Sequence, residues 1–184
     1  MTKTVISITG YSGSGKTGIS REIIDILYLK PIKIAGFISQ AIIFENEKRT
    51  IQVLNLETKE EKPLAQLARD RLSADFGKWN FNQKTIEWVI NSLSTVTNCD
   101  LLVMDEIGPL EIEMHKGWHT IFDDIDRIDF KACLITFRPK YTAYFQEKYP
   151  DIHIVNAAFP DAARVILNLL SNAGLPISES QSGK

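Results

Sequence analysis

The chain has 184 residues, with 21 Lys plus Arg against 23 Asp plus Glu, so its formal net charge is −2. This length corresponds to one domain, and a hydrophobic content of 44% excludes a disordered or collagen-like chain. A pI near 5.9 excludes the diffuse basic surface of a non-specific nucleic-acid binder, so we do not expect a nucleic-acid partner.

Hydropathy and cysteine usage predict a cytoplasmic protein without a membrane anchor. The longest apolar run, Leu101 to Met104, falls far short of the roughly 20 residues that span a bilayer. The N-terminal segment enters a Gly/Ser loop before it could form the apolar core of a signal peptide. Cys99 and Cys133 lie beside or within strand-like segments, so we expect reduced core thiols. The sequence leaves the oligomeric state open.

The first half of the chain begins an alternation of strands and helices. Its hydrophobic pattern predicts a strand over 4–9, a helix over 16–29, and two strand-like runs over 34–44 and 50–56. The two runs are separated by a short polar segment, which predicts a β-hairpin inserted into the alternation. Residues 57–80 are polar and support no assignment.

The second half resumes the alternation. It predicts helices over 82–96, 118–128, 141–149 and 160–170, and strands over 100–105, 131–137 and 152–155. Such alternation is typical of an α/β fold with a mostly parallel central sheet and helices on both faces. We therefore predict a single domain over 1–172, followed by a disordered polar tail over 173–184.

A phosphate-binding loop connects the first predicted strand and helix. The pattern G-x-x-x-x-G-K-[ST], known as Walker A, is matched in full by Gly10-Tyr11-Ser12-Gly13-Ser14-Gly15-Lys16-Thr17. Glycines let successive backbone N–H groups face phosphate oxygens, and the helix N-terminus adds partial positive charge. We predict that these residues and Gly18 bind a nucleoside triphosphate, with Lys16 at the β and γ phosphates and Thr17 on Mg²⁺.

A second acidic motif follows the strand predicted over 100–105. Four apolar residues end in Asp105 and Glu106, which is the Walker B pattern. We predict that Asp105 joins Thr17 in holding Mg²⁺ and that Glu106 orients and deprotonates an attacking water. Together the two motifs predict a P-loop NTPase fold and hydrolysis of the triphosphate.

The sequence also resembles a known family over roughly residues 4–170. The resemblance is carried by the segments 10–17, 35–37, 53–56, 63–65, 76–79 and 103–111, of which Asp105-Glu106-Ile107-Gly108-Pro109-Leu110-Glu111 is the most specific. These segments are similar to the cancer-related nucleoside-triphosphatase family. The resemblance implies a P-loop α/β fold, Mg²⁺-dependent hydrolysis of nucleoside triphosphates with broad base preference, and a relationship to nucleotide kinases. The chain departs from the family pattern at Ser12, at Gly18 and over 38–40.

Phosphoryl transfer usually requires a cation on the developing charge. Arg138 follows the strand predicted over 131–137, which places it at the same sheet edge as Asp105, and we predict a catalytic role for it. Arg69 and Arg71 are alternatives. The aromatic residues Phe37, Trp79 and Trp118 are candidates for stacking on a nucleobase, with packing in the core as the alternative reading.

Two further functions remain open at this point. In a nucleotide or small-molecule kinase, Glu106 or a neighbour would activate an acceptor hydroxyl instead of water. In a nucleotide-dependent adapter or switch, turnover would be slow and stimulated by a partner. The phosphate loop also resembles that of adapter proteins of molybdopterin-guanine dinucleotide synthesis.

Overall fold

A computed structural model of the protein describes residues 3–45 and 47–177. Within these ranges, eight strands form one sheet with six α-helices around it. The strands are β1 Thr4–Thr9, β2 Ile34–Phe44, β3 Glu47–Asn55, β4 Glu61–Leu67, β5 Trp79–Phe81, β6 Leu101–Ile107, β7 Ala132–Phe137 and β8 His153–Asn156. This confirms the predicted α/β fold.

The helices are α1 Lys16–Leu27, α2 Gln83–Thr95, α3 Pro109–Ile112, α4 Ile121–Arg127, α5 Thr142–Lys148 and α6 Ala162–Asn172. Short 3-10 turns at Arg71–Ser73 and Pro139–Tyr141 complete the regular structure of the described residues. Across this part of the chain, no helix has the length and apolar character that crossing a membrane requires.

The sheet has a parallel half and an antiparallel half, in the order β5-β4-β3-β2-β6-β7-β1-β8. The strands β2, β6, β7, β1 and β8 are parallel, and β3 to β5 continue the sheet antiparallel from β2. The predicted hairpin is confirmed, since β2 pairs with β3 in the register Phe37 to Asn55. It belongs to the main sheet because β2 also pairs with β6.

Two strands, β4 and β5, lie in the segment 57–80, for which the sequence supports no assignment. The strand β4 carries Pro63 and has only Leu64 and Ala65 buried, so it lacks an apolar run or a clean alternation. Pro63 is tolerated because it pairs with Gln52 at a register shift in the β3–β4 ladder. Three-residue β5 is too short for a periodic signal.

Each face of the sheet carries its own apolar core. The helices α1 and α6 cover one face, where Leu27 and Ile166 are fully buried. The helices α2, α4 and α5 cover the other, where Phe145 of α5 stacks on Phe137 of β7 with ring centroids 4.2 Å apart. Both faces of the parallel strands are therefore buried, as the near-continuous apolar runs predict.

The ordered core continues past the predicted domain boundary at residue 172. Leu175 is buried against α6, and its backbone N–H donates to the carbonyl of Leu170 at 3.1 Å. The predicted start of the tail at 173 is therefore too early, because a turn at Gly174, with φ of 88°, returns the chain to the core. The rest of the predicted tail, 178–184, lies outside the described residues.

A glycine fixes how closely β2 approaches β6. Gly36 has φ of 106°, and a Cβ there would overlap the carbonyl oxygen of Val103 and lie 2.8 Å from its nitrogen. We expect Gly36→Ala to destabilise the fold by about 3 kcal/mol or more, because both the backbone conformation and the space exclude a side chain. Thermal unfolding measures this loss.

The control is Gly18→Ala, at an exposed position of α1 with open space where a Cβ would lie. It should leave the stability within about 0.5 kcal/mol of the wild type, because the added Cβ meets open space in the first turn of the helix. Equal melting temperatures for Gly36→Ala and the wild type would contradict the packing argument.

Candidate active site

Three neighbouring parallel strands end at the same level of the sheet. Thr9 of β1 and Ile107 of β6 both pair with Phe137 of β7. The phosphate loop, Asp105 with Glu106, and Arg138 follow or end these strands, so the topology brings the predicted site residues to one edge. Ligands of open α/β sheets bind at such carboxyl edges.

The phosphate loop has the backbone shape that its glycines predict. Gly13 and Gly15 take left-handed conformations with φ of 82° and 89°. Gly15 is the residue before α1, whose N-terminus has no side-chain cap, so its first N–H groups face the loop. Ser14 Oγ is buried and has no hydrogen-bond partner within the described residues. This loop offers unpaired donors to an anion.

Lys16 is held beneath the loop by backbone carbonyls. Its Nζ donates to the oxygens of Gly10 at 2.8 Å and Tyr11 at 3.0 Å, and the residue is buried. Burial lowers the pKa of Lys16, while the carboxylates of Glu106 and Asp105 raise it. The ammonium therefore lies between the loop and the acidic motif.

Asp105 is buried and fully hydrogen-bonded. Its Oδ2 accepts from Thr17 Oγ1 and from the backbone N–H of Ser39, both at 3.0 Å. Its Oδ1 accepts from Thr136 Oγ1 at 2.7 Å. Burial raises the pKa of Asp105 to about 6, and Glu106 adds to this, while the three hydrogen bonds lower it. One carboxylate thus joins α1, β2 and β7.

Glu106 lies at an irregularity of its strand. The register between β6 and β7 shifts between Met104 and Ile107, and Glu106 has a left-handed φ of 60° that is uncommon for a residue with a side chain. Its backbone N–H donates to Thr136 Oγ1 at 2.7 Å. The shift turns the Glu106 side chain out of the sheet, where it is exposed and lines a cavity.

The cavity has a charged end and an apolar wall. Lys16, Glu106 and Arg138 line the charged end. The wall comes from β3 to β5 and from the segment after β6, through Ile51, Leu64, Phe76, Trp79, Phe81, Leu110 and Trp118. Its volume is about 130 Å³. That is roughly ten times the 10–15 Å³ that one water needs, so it has room for a group larger than water.

The structure places some of the other predicted residues at the cavity and others away from it. Arg138 is exposed and lines the cavity, whereas Arg69 lies in a separate depression beside Pro63. The side chain of Arg71 lies outside the described part of the chain. Trp79 and Trp118 line the cavity, but Phe37 packs in the core against Trp88, with ring centroids 5.3 Å apart.

Sequence reasoning assigned no role in this site to three of its residues. Thr136 lies two positions before Arg138 and is the polar residue in the otherwise apolar end of β7. A polar residue in a buried strand indicates a hydrogen-bonding role, so the sequence carries a signal for it. Glu111 is a buried carboxyl of α3 that lines the cavity beside Glu106. Ser39 contributes a backbone N–H, for which a sequence carries no signal.

Removal of the Thr136 hydroxyl tests the hydrogen-bond network. We expect Thr136→Val to destabilise the protein by about 1–3 kcal/mol, because Asp105 loses a donor and the Glu106 N–H loses its acceptor in a buried setting. Thermal unfolding measures the loss. The control Thr136→Ser keeps the hydroxyl and should cost only about 1 kcal/mol for the lost methyl group. Equal losses in the two variants would contradict the network.

Solved structures share this fold. The solution structure of a human cancer-related nucleoside triphosphatase aligns with a TM-score of 0.66 at 12% identity, covering 97% of this chain and 100% of that one. The crystal structure of THEP1 from the hyperthermophile Aquifex aeolicus aligns with a TM-score of 0.62 at 16% identity, covering 95% and 100%. At these identities the likeness concerns the fold.

Sequence comparison identifies the family. The nucleoside-triphosphatase THEP1 of Methanocaldococcus jannaschii is 26% identical over 148 residues, which cover 78% of this chain and 83% of that protein. A family model described as NTPase matches residues 5–151. The chain therefore belongs to the NTPase family, enzymes that hydrolyse nucleoside triphosphates, and the predicted resemblance to cancer-related nucleoside-triphosphatases is confirmed.

Proposed function

We propose that this NTPase is Mg²⁺-dependent, converts a nucleoside triphosphate to the diphosphate and phosphate, and has a broad base preference. One observation carries the proposal. The Thr17 hydroxyl lies 3.0 Å from Asp105 Oδ2, with Glu106 next in the chain and facing the cavity that Lys16 lines. The phosphate loop and the two carboxylates thus form a single site.

The phosphate-binding residues are those of the loop. The N–H groups from Gly10 to Gly18 that face inward would bind the α and β phosphates, and Lys16 would bind the β and γ phosphates. The buried Ser14 hydroxyl, which has no partner among the described residues, supplies a further donor there. Lys16 lines the cavity, so the cavity lies on the γ-phosphate side.

The residues fit a magnesium ion. Thr17 and Asp105 supply a hydroxyl and a carboxylate, the hard oxygen donors that Mg²⁺ prefers, and both lie beside the phosphate loop. The burial that raises the pKa of Asp105 to about 6 would be offset by a divalent cation, which favours the charged carboxylate. When bound, Mg²⁺ would neutralise charge on the phosphate oxygens.

Glu106 is the proposed general base. Its carboxylate accepts a proton from a water in the cavity while the water oxygen bonds to the γ-phosphorus and the bond to the bridging oxygen breaks. The electron pair of that bond leaves with the diphosphate. Arg138, which lines the same end of the cavity, would stabilise charge on the transferred group.

Two observations support a broad base preference. The M. jannaschii relative is named a nucleoside-triphosphatase, without mention of a base. Gly18, in the first turn of α1, is exposed, and a Cβ built there would meet no atom within 4 Å, so this side of the loop is open and offers no contact that would select one base. For the cellular setting we propose the cytoplasm, since Cys99 and Cys133 are free buried thiols.

Turnover of a nucleotide panel tests the hydrolysis. We expect phosphate release from ATP, GTP, CTP and UTP with Mg²⁺, and its loss with excess EDTA. Glu106→Gln should lower kcat by at least about 100-fold while nucleotide Kd changes less than about threefold, because only the proton transfer is removed.

The matched control is Glu113→Gln, an exposed glutamate that accepts hydrogen bonds from Lys140 and Tyr141 outside the cavity. It should turn over at the wild-type rate. Full activity of Glu106→Gln would exclude Glu106 as the base, and turnover undiminished by EDTA would exclude the metal.

The apolar cavity wall favours phosphoryl transfer to an acceptor as the second candidate function. A cavity larger than one water and lined by Trp79 and Trp118 could hold a planar molecule with a hydroxyl group on the γ-phosphate side. Glu106 would then take the acceptor's proton instead of that of water.

Product analysis separates the two functions. With γ-labelled ATP and a panel of nucleosides and nucleoside monophosphates, we expect inorganic phosphate as the sole labelled product in the wild type. A labelled acceptor, formed less by Trp79→Ala than by the wild type, would instead establish the transferase. Chromatography of the reaction mixture resolves the labelled species.

A further inference from the structure

Glu111 is a buried carboxyl that the proposed hydrolysis does not use. It lies in α3, one turn after the strand that carries Glu106, and is only 5% exposed. Acidic side chains are almost never this buried unless hydrogen bonds or charges compensate them. The Glu111 carboxylate is compensated by backbone N–H groups.

These N–H groups come from both ends of one segment. Glu111 Oε2 accepts from the N–H of Gly108 at 3.0 Å. The backbone N–H groups of Glu111 itself and of Trp118 also lower the pKa of this carboxyl. The side chain therefore closes the segment 108–118 into a loop, of which Gly108, Leu110 and Trp118 line the cavity.

Gly117 packs against the other oxygen of the Glu111 carboxyl. It has φ of 63°, and a Cβ there would lie 2.5 Å from Glu111 Oε1 and 2.8 Å from Leu110 Cδ2. The backbone at Gly117 thus approaches the carboxylate as closely as only glycine allows. The contact fixes the far end of the segment against Glu111.

Glu106 is held in an unfavourable conformation at the start of this segment. A left-handed φ is unfavourable for a residue with a side chain and persists only where neighbours enforce it. On one side, the Glu106 N–H is fixed by Thr136. On the other side, Gly108, two residues later, is fixed by Glu111.

We propose that Glu111 is a positioning residue, whose carboxylate holds the segment 108–118 so that the Glu106 side chain faces the γ-phosphate end of the cavity. The proposal rests on the proposed role of Glu106. It gives a role to a carboxyl at a site where burial is costly. Burial raises the pKa of Glu111 to about 7, and the backbone N–H groups around it lower this pKa only in part.

The test compares Glu111→Ala, Glu111→Gln and the control Glu113→Ala. Glu113 lies two residues away, is exposed and bonds to Lys140 and Tyr141. We expect Glu111→Ala to lower kcat by about 10–100-fold, as supporting residues of active sites do. KM and nucleotide Kd should change less than about threefold, because the phosphate loop is untouched.

Glu111→Gln should give an intermediate kcat. The amide oxygen of glutamine still accepts one N–H. Its NH₂ group, however, is a donor and takes the place of a carboxylate oxygen that faces a backbone N–H. This variant keeps the size of the side chain and tests the proposal even where Glu111→Ala does not fold. Glu113→Ala should keep the wild-type kcat.

Amide hydrogen exchange gives a readout that does not depend on turnover. Glu111→Ala and Glu111→Gln should exchange faster over 107–118 and at the wild-type rate over 101–105. Wild-type kcat in both variants would overturn the proposal, and so would unchanged exchange over 107–118. The variant Glu106→Gln separates failure of this proposal from failure of the proposed hydrolysis. Full activity of Glu106→Gln would exclude Glu106 as the base, independently of the hydrogen-exchange result for the Glu111 variants.

Discussion

The buried carboxylate of Asp105 is the constraint on which the site depends. Its two oxygens accept hydrogen bonds from Thr17 at the start of α1, from Ser39 on β2 and from Thr136 on β7. Each partner belongs to a different element, so the carboxylate sets the distance between the phosphate loop and two strands. An unpaired carboxylate at this depth would be strongly destabilising, and the three donors are therefore required together.

The same network shapes the residue that follows. Thr136 donates to Asp105 and accepts from the Glu106 N–H, so one hydroxyl contacts both the buried carboxylate and the backbone of the proposed base. The register shift in β6 turns Glu106 out of the sheet while Asp105 stays inside it. Adjacent carboxylates thereby receive different surroundings: Asp105 is buried and Glu106 is exposed to the cavity. Different surroundings allow two carboxylates to take different roles.

The predictable part of the fold and site is the part with local signals. Buried parallel strands such as β6 and β7 give long apolar runs, and the phosphate loop has a fixed spacing of glycines, so both could be predicted. The strand β4 could not, because Pro63 and a single buried pair conceal its pattern. Hydrogen bonds between distant elements, such as Ser39 to Asp105, have no sequence pattern at all. Glu111 belongs to the predicted motif, but its burial follows from Gly117 and Trp118, which only the folded loop brings near.

The antiparallel half of the sheet gives the site its apolar surroundings. Ile51, Leu64 and Trp79 on β3 to β5 build an apolar wall opposite the charges of Lys16, Glu106 and Arg138. Apolar surroundings lower the effective dielectric constant, so the charge of buried Lys16 would act more strongly on a phosphate than it would in water. The parallel half thus supplies the charged groups, and the antiparallel half sets the medium in which they act. Because the cavity has room for more than one water, this wall also bears on the choice between hydrolysis and the proposed transfer to an acceptor.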